Sequence, residues 1–564
     1  MMVCKNEWAQ KCVNLGGTAE AEAFVPLGIK AFFIASQTLF YKRTSWQTPQ
    51  RCPKSDNKQI NCIKAVKSNW IYRKEVMSMI TPDYNEIRQL AKSYSIIPVC
   101  REIYADITTP IALLRKISRI SSRYYLLESI EGGEKWGRYS FLGFDPIAHA
   151  VCKNGKVILQ DDEMKVVHTQ KPLEVLREYL SKYRAPRLAG IPPFAGGFVG
   201  YFSYGMIKYA EPVLRLRDSD FNDFDLMLFD RVIAYDHLKQ KISIIINMRT
   251  DKVEENYKKT LEDIEDTIHL IMEQETFTGT RMESRPVFTC NMSKEEYCDM
   301  VLKTKEYIKN GDIFQAVISR RFESEYRDSL LNAYRVLRTT NPSPYMVFLR
   351  KDDLQLICSS PETLVRLQNG VLSTFPIAGS RPRGSTREED EVLERELTED
   401  EKELAEHNML VDLARNDIGK ISEYSSVKVT AYKKIQRYSR IMHITSEVEG
   451  RIREGKDALD AIEALLPAGT LSGAPKIRAC EIIEELEKEP RGIYGGAIGY
   501  IDFTGNMDVC IAIRMAVKKN DRVYVQAGGG IVADSIPERE YEESGNKARA
   551  VIEAIAAAGE VDAV

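Results

Sequence analysis

The chain has 564 residues, enough for several domains or one large enzyme core, and its 44% hydrophobic and 29% charged residues suit a globular protein with a sizeable interior. A net charge of −3 offers no basic field for a nucleic-acid backbone, and no run of about 18 apolar residues would span a membrane. Eleven cysteines without CxxC or metal-ligand spacing fit reduced thiols and a cytoplasmic location.

Charge is unevenly placed. Residues 1–78 carry twelve Lys/Arg against five acids, a surplus of seven that leaves −10 for residues 79–564, and they hold four of the cysteines and three of the four tryptophans. No helical or strand period runs through this head. It is either an added interaction module or the product of codons upstream of the true start. A purine-rich stretch can encode Lys74-Glu75-Val76 just ahead of Met79, which favours the second reading; residues 1–78 are expected to be disordered or poorly packed, and residues 79–564 alone to be fully active.

From Thr81 the punctuation is that of a folded protein. Pro82-Asp83 opens a helix running to about Tyr94, and Thr108-Thr109-Pro110 caps another over 111–120. Residues 124–129 read as a strand, and Asn154-Gly155 centres a hairpin over 148–160. Strands are expected at 196–202 and 232–247, then a charged helix at 251–274 and a polar connection at 275–285. That connection divides an N-terminal part, 79–275, from a C-terminal part, 286–564, within one folded body. The second part predicts helices at 294–309 and 330–339, strands at 314–322 and around Met346, Leu356 and Val371, and one long helix over 387–415. Strands return at 495–502, 509–517 and 522–527. Successive β-runs joined by short turns predict an α+β fold of antiparallel sheet with helices packed outside.

Glu403 and Glu406 lie three apart on the long helix, and Glu540 and Glu543 repeat that spacing with Lys547 four further on. Exposed helices produce such pairs by chance. If the two helices converge, four carboxylates suit one Mg²⁺. The string 526–533, QAGGGIVA, imitates a dinucleotide fingerprint, but Pro537 follows where a helix should begin at once. It is either a loop offering bare amides to an anion or a plain tight turn. No HExxH, serine elbow or catalytic-cysteine signature supports hydrolytic nucleophile chemistry.

Five motifs, PIAGSRPRG (376–384), DEKELAEH (400–407), MLVDLARND (409–417), PAGTLSGAPK (467–476) and RGIYGGA (491–497), together resemble the chorismate-utilising enzymes, most closely the large subunits of anthranilate synthases. The resemblance covers about 79–564 and implies a sandwich of large antiparallel sheets with helices outside. It implies Mg²⁺ on Glu406 and Glu543 with Glu403 and Glu540 in support, and Glu362 as general acid on the C4 hydroxyl of chorismate. Tyr494, Arg514, Lys547 and the amides of Gly528, Gly529 and Gly530 match groups that bind the substrate carboxylates. His443 matches the residue tied to pyruvate elimination, and Thr470 shares its pocket. Where water-activating relatives carry a lysine base this chain has Gln315, so ammonia is the expected nucleophile. Where aminodeoxychorismate synthases commonly carry a lysine this chain has Ala378, beside Gly379 and Ser380, so anthranilate is the expected product. Ser380 replaces the usual threonine.

Glu128, Ser129, Pro344, Tyr345, Met346 and Cys510 resemble a feedback site for tryptophan, with Glu128 meeting its ammonium group. No glutaminase domain is recognisable, so ammonia is expected from a separate glutamine amidotransferase subunit. The alternatives are an aminodeoxychorismate synthase component or a catalytically silent tryptophan-binding regulator.

Overall fold

A computed structural model describes residues 80–129, 137–274, 285–437 and 441–561, all within one unit spanning Lys74–Val564. The expectations for 1–78, for the boundary at 78/79 and for nearly all of the 275–285 connection lie outside the described residues.

Two large antiparallel sheets are stacked with helices on their outer faces, as expected for the α+β class. The first runs Ile80–Thr81, Ile96–Tyr104, Lys241–Arg249, Arg231–Asp236, Tyr139–Phe144, Arg123–Glu128, Tyr345–Lys351, Leu354–Ser360, Met515–Lys519, Arg522–Ile531, Gln315–Glu325, Thr289–Cys290. The second runs Ile377–Pro382, Ile441–Arg451, Val371–Thr374, Thr363–Gln368, Met507–Ile511, Ala497–Asp502, Gly197–Phe202, Phe224–Phe229, Ala148–Lys153, Lys156–Gln160, Met164–His168. Both sheets draw strands from before and after residue 280.

Alternation along the strands explains the layering. In Gly197–Phe202, Val199 and Tyr201 turn toward the other sheet, joining Phe229 of their own sheet and Tyr125 and Val347 of the facing one in an inter-sheet core. Phe198 and Phe202 turn outward and are covered by Leu176, Val411 and Ile462 from helices Pro172–Leu180, Glu401–Gly419 and Ala458–Leu465. On the far side of the first sheet, Ile117, Ile264, Tyr334 and Val551 from four further helices close over Ile244 and Phe348.

Local signals account for many boundaries. Asp83 caps Tyr84–Leu90 by accepting from the amides of Asn85 and Glu86. Ser293 and Glu296 form a reciprocal capping box at the start of Lys294–Lys309. The Asn154-Gly155 pair turns its hairpin with φ of 50° and 76°, the conformation such a two-residue turn requires.

Four expectations are corrected. The strand expected at 232–247 is a hairpin, Arg231–Asp236 and Lys241–Arg249, because Asp236 accepts from the amides of Leu238 and Lys239 and turns the chain. The single helix expected at 387–415 is two, Arg387–Glu399 and Glu401–Gly419. Asp400 takes extended backbone and its carboxylate caps the second through the amides of Lys402 and Glu403. The strand expected at 509–517 is broken at Arg514, whose φ is 49°. The first helix stops at Leu90, not Tyr94.

Candidate active site

Glu362 lies on the two-residue link between Leu354–Ser360 of one sheet and Thr363–Gln368 of the other. Its carbonyl accepts from the Ile511 amide at 3.0 Å, and its carboxyl Oε1 accepts from the Thr470 hydroxyl at 3.1 Å. Burial pushes this carboxyl up to about 7, with Thr470 and Lys547 acting in the opposite direction. A carboxyl group poised there keeps a substantial protonated fraction near neutral pH and can release its proton in reaction.

Lys547 acts on it electrostatically, and several other candidates gather around Lys547. Lys547, on helix Pro537–Ala556, reaches Glu543 Oε1 at 2.8 Å and the Gly528 carbonyl at 3.3 Å. Gly528, Gly529 and Gly530 end the strand Arg522–Ile531, so the reading of this string as a loop is corrected: they pair with Ser319, Ile318 and Val317. Their bareness has a local cause. A Cβ on Gly529 would stand 2.9 Å from a Glu540 carboxylate oxygen, and one on Gly530 would collide with the Gln315 side-chain amide. Tyr494 is buried beside the Gly528 amide and Arg514, and burial pushes its hydroxyl up to about 12. Burial lowers Arg514, while Tyr494 and Glu543 oppose that shift.

The strand Ile377–Pro382 packs against helices Arg387–Glu399 and Glu401–Gly419. Gly379 there has a φ of 64°, and its Cβ would press on Leu397 and come within 3.1 Å of a Glu403 carboxylate oxygen, so a side chain is excluded on both counts. His443 Nδ1 lies 2.9 Å from the Gly379 carbonyl oxygen. That contact requires a proton on Nδ1, which makes Nε2 the basic atom of the neutral ring. Ala378 pairs with Ile444, and Ser380 is exposed at the strand edge.

The two carboxylate pairs do come from two helices. Glu406 is raised by partial burial, then by Glu403 and also by Glu543; Glu540 is raised by partial burial and by Glu543. This mutual repulsion between oxygen donors suits a hard divalent cation. As the side chains stand, no three of them, nor any other three His, Cys, Asp or Glu among the described residues, converge as a ready-made metal cage. The ammonium of Lys547 is the cation that meets Glu543.

The six positions of the second expected site separate. A cavity of about 560 Å³ opens between the sheets, lined by Glu128, Ser129, Pro344, Tyr345 and Met346 among others, a size that accepts a small organic ligand. Cys510 does not line it and is buried in the inter-sheet core. Glu128 is already neutralised: Arg338 donates to both its oxygens at 2.8 and 3.1 Å, Tyr334 adds 2.8 Å and Ser140 3.1 Å. An ammonium group there would have to compete with Arg338.

Sequence reasoning missed two supporting pairs with at least one residue inside the quoted motifs. Arg491 and Glu487 are buried together, and Arg491 also donates to the carbonyls of Leu471 and Val317, bracing the loop that carries Thr470. Lys476 reaches both Asp417 oxygens at 3.2 and 3.1 Å, tying the start of helix Lys476–Leu486 to helix Glu401–Gly419. Asp417→Asn is expected to lower unfolding free energy by about 2–3 kcal/mol, because a buried ammonium keeps one acceptor but loses its counter-charge. Urea melts of variant and parent check this, and a change below 1 kcal/mol would show the pair to be solvated.

Comparison with known proteins places the chain in a family. Anthranilate synthase component 1 of Acetivibrio thermocellus is 47% identical over 494 residues, 86% of this chain and 100% of that relative. The protein of the same name from Aquifex aeolicus is 46% identical over 482 residues, 84% of this chain and 98% of the relative. The crystal structure of anthranilate synthase component I from Streptococcus pneumoniae superposes with a TM-score of 0.67 at 37% identity, covering 80% of this chain and 99% of that one. The menaquinone-specific isochorismate synthase of Escherichia coli, at 16% identity and a TM-score of 0.61 over 84% and 98% of the two chains, shares the fold. No described helix is long and apolar enough to cross a membrane. The family model described as chorismate binding enzyme matches residues 122–553, which takes in Glu362, both carboxylate pairs and the glycine-ended strand, and the chain belongs to that family.

Proposed function

We propose that the chain converts chorismate and ammonia to anthranilate and pyruvate, with ammonia released from glutamine by a separate amidotransferase subunit. The observation that carries this reading is the Glu362 carboxyl, held at about 7 and hydrogen-bonded to Thr470 beside Lys547. The relatives named component 1 support both the product and the existence of a second component.

Glu362 gives its proton to the C4 hydroxyl, which leaves as water while ammonia adds at C2. Gln315 has no base to activate water, and no amine stands at Ala378 to attack in ammonia's place. Lys547, Arg514, Tyr494 and the Gly528 to Gly530 backbone hold the substrate carboxylates. His443, through Nε2, is placed to take the C2 proton as pyruvate departs. Glu406 and Glu543, with Glu403 and Glu540 beside them, would hold Mg²⁺, which supplies positive charge to the ring carboxylate as C4 loses its hydroxyl.

The test is incubation of the purified chain with chorismate, Mg²⁺ and ammonium. Anthranilate fluorescence is expected; a non-aromatic 4-amino product would establish an aminodeoxychorismate synthase, and absence of turnover a silent regulator.

Tryptophan is the proposed occupant of the inter-sheet cavity, with its indole against Pro344, Met346 and Leu127 and its ammonium group drawn to Glu128 in exchange for Arg338. Ser129→Leu puts a larger apolar side chain into this cavity. It is expected to raise the tryptophan concentration for half-inhibition at least about tenfold, within the range of ordinary allosteric coupling. An unchanged inhibition curve would remove Ser129 from the site.

A further inference from the structure

Pro361 and Glu362 are the whole link between the strand Leu354–Ser360 and the strand Thr363–Gln368, which belong to different sheets. Tyr345 holds both ends of that link. Its backbone pairs with Ser360, and its hydroxyl lies 2.9 Å from Thr363 Oγ1. The same hydroxyl donates to Asp508 Oδ1 at 2.7 Å, and the other Asp508 oxygen accepts from Arg366 at 3.0 Å. Thr363 also pairs with Cys510, whose neighbour Ile511 donates its amide to the Glu362 carbonyl.

Tyr345, Asp508 and Arg366 line the inter-sheet cavity, whereas Thr363 does not; it lines a small cleft of about 50 Å³ with Glu362 and Thr470. The tyrosine hydroxyl is therefore shared between the two places. We infer that the Tyr345–Thr363 hydrogen bond is the positioning contact through which an occupant of the inter-sheet cavity acts on Glu362. A hydrogen bond weakens steeply with misalignment, so a small displacement of the Tyr345 ring by a ligand releases Thr363 and lets the two-residue link shift.

This rests on the tryptophan reading for the identity of the occupant, and the test separates the two. Tryptophan affinity is measured by equilibrium dialysis, and chorismate KM and kcat with and without saturating tryptophan, for the parent, Thr363→Val, Thr363→Ser and Tyr345→Phe. Thr363→Val is expected to bind tryptophan within about twofold of the parent, while the fold-change tryptophan imposes on chorismate KM falls about fivefold or more, as loss of coupling requires. Thr363→Ser keeps a hydroxyl and retains the parent's response. Tyr345→Phe removes the other partner of the bond and loses the response as Thr363→Val does, with tryptophan affinity again within about twofold of the parent's; it decides the matter should the valine variant fail to fold, and loss of tryptophan binding in it would overturn the assignment of the bond to coupling. If the parent binds tryptophan and is inhibited while both hydroxyl-deleted variants are inhibited to the same extent, this inference is overturned alone. If the parent binds no tryptophan, the regulatory reading beneath it falls as well.

Discussion

Glu362→Gln is expected to lower kcat by about 10²–10⁴ while chorismate still binds, the usual consequence of removing a positioned general acid. In the parent, kcat/KM should fall as pH rises through about 7, because the protonated carboxyl is the active form and burial holds its titration there. The same group gives an independent stability readout. Its folded value of about 7 exceeds the ordinary 4.5, so between those pH values the unfolded chain sheds the proton first and the fold loses stability as pH rises. Above pH 7 the loss levels off at about 3 kcal/mol or less. Glu362→Gln has no such ionisation, so it should melt higher than the parent at pH 8 and alike near pH 4.5. Loss of activity with gain of alkaline stability distinguishes an acid kept for chemistry from one kept for the fold. Normal turnover, or a melting difference independent of pH, would overturn the assignment.

How much of this was legible in sequence depends on where each residue's partner lies. Helix Lys294–Lys309 begins at a Ser293/Glu296 capping box and needs no distant contact, and the Asn154-Gly155 turn is equally local; both were read at once. The break at Asp400 was also written locally, as an Asp three residues before Glu403, but apolar spacing continued across it and hid the cap. The ion pair on Glu128 could not be read at all, since Arg338 lies 210 positions away. For the same reason the link between Tyr345 and Asp508, 163 apart, emerges only once the sheets are assembled. Candidate residues such as Glu403, Glu406, Thr470 and Tyr494 stood inside long motifs, and so did Lys476 and Asp417, whose pairing had no local sign.

Glu406→Gln and Glu543→Gln are expected to raise the Mg²⁺ concentration for half-maximal activity by at least about tenfold, since loss even of a group that merely supports a metal ligand costs 10–100-fold. The structure gives this prediction a second, opposite sign. Without metal, Glu406 is raised by partial burial and by the like charges of Glu403 and Glu543, so deleting one charge relieves repulsion and should leave metal-free melting unchanged or slightly higher. Adding Mg²⁺ should then stabilise the parent, because a ligand bound only to the folded state raises its melting temperature, and should do so much less for either variant. Lys547 sharpens the comparison: in Glu543→Gln its ammonium loses the counter-charge it meets at 2.8 Å and is left with neutral acceptors, the new amide oxygen and the Gly528 carbonyl at 3.3 Å. Carboxylate binding should therefore suffer more in Glu543→Gln than in Glu406→Gln, appearing as a higher chorismate KM at saturating Mg²⁺. Should both variants keep the parent's Mg²⁺ dependence and its Mg²⁺-induced stabilisation, the two carboxylate pairs are a substrate-facing charge cluster and the ion, if one is needed, is held elsewhere.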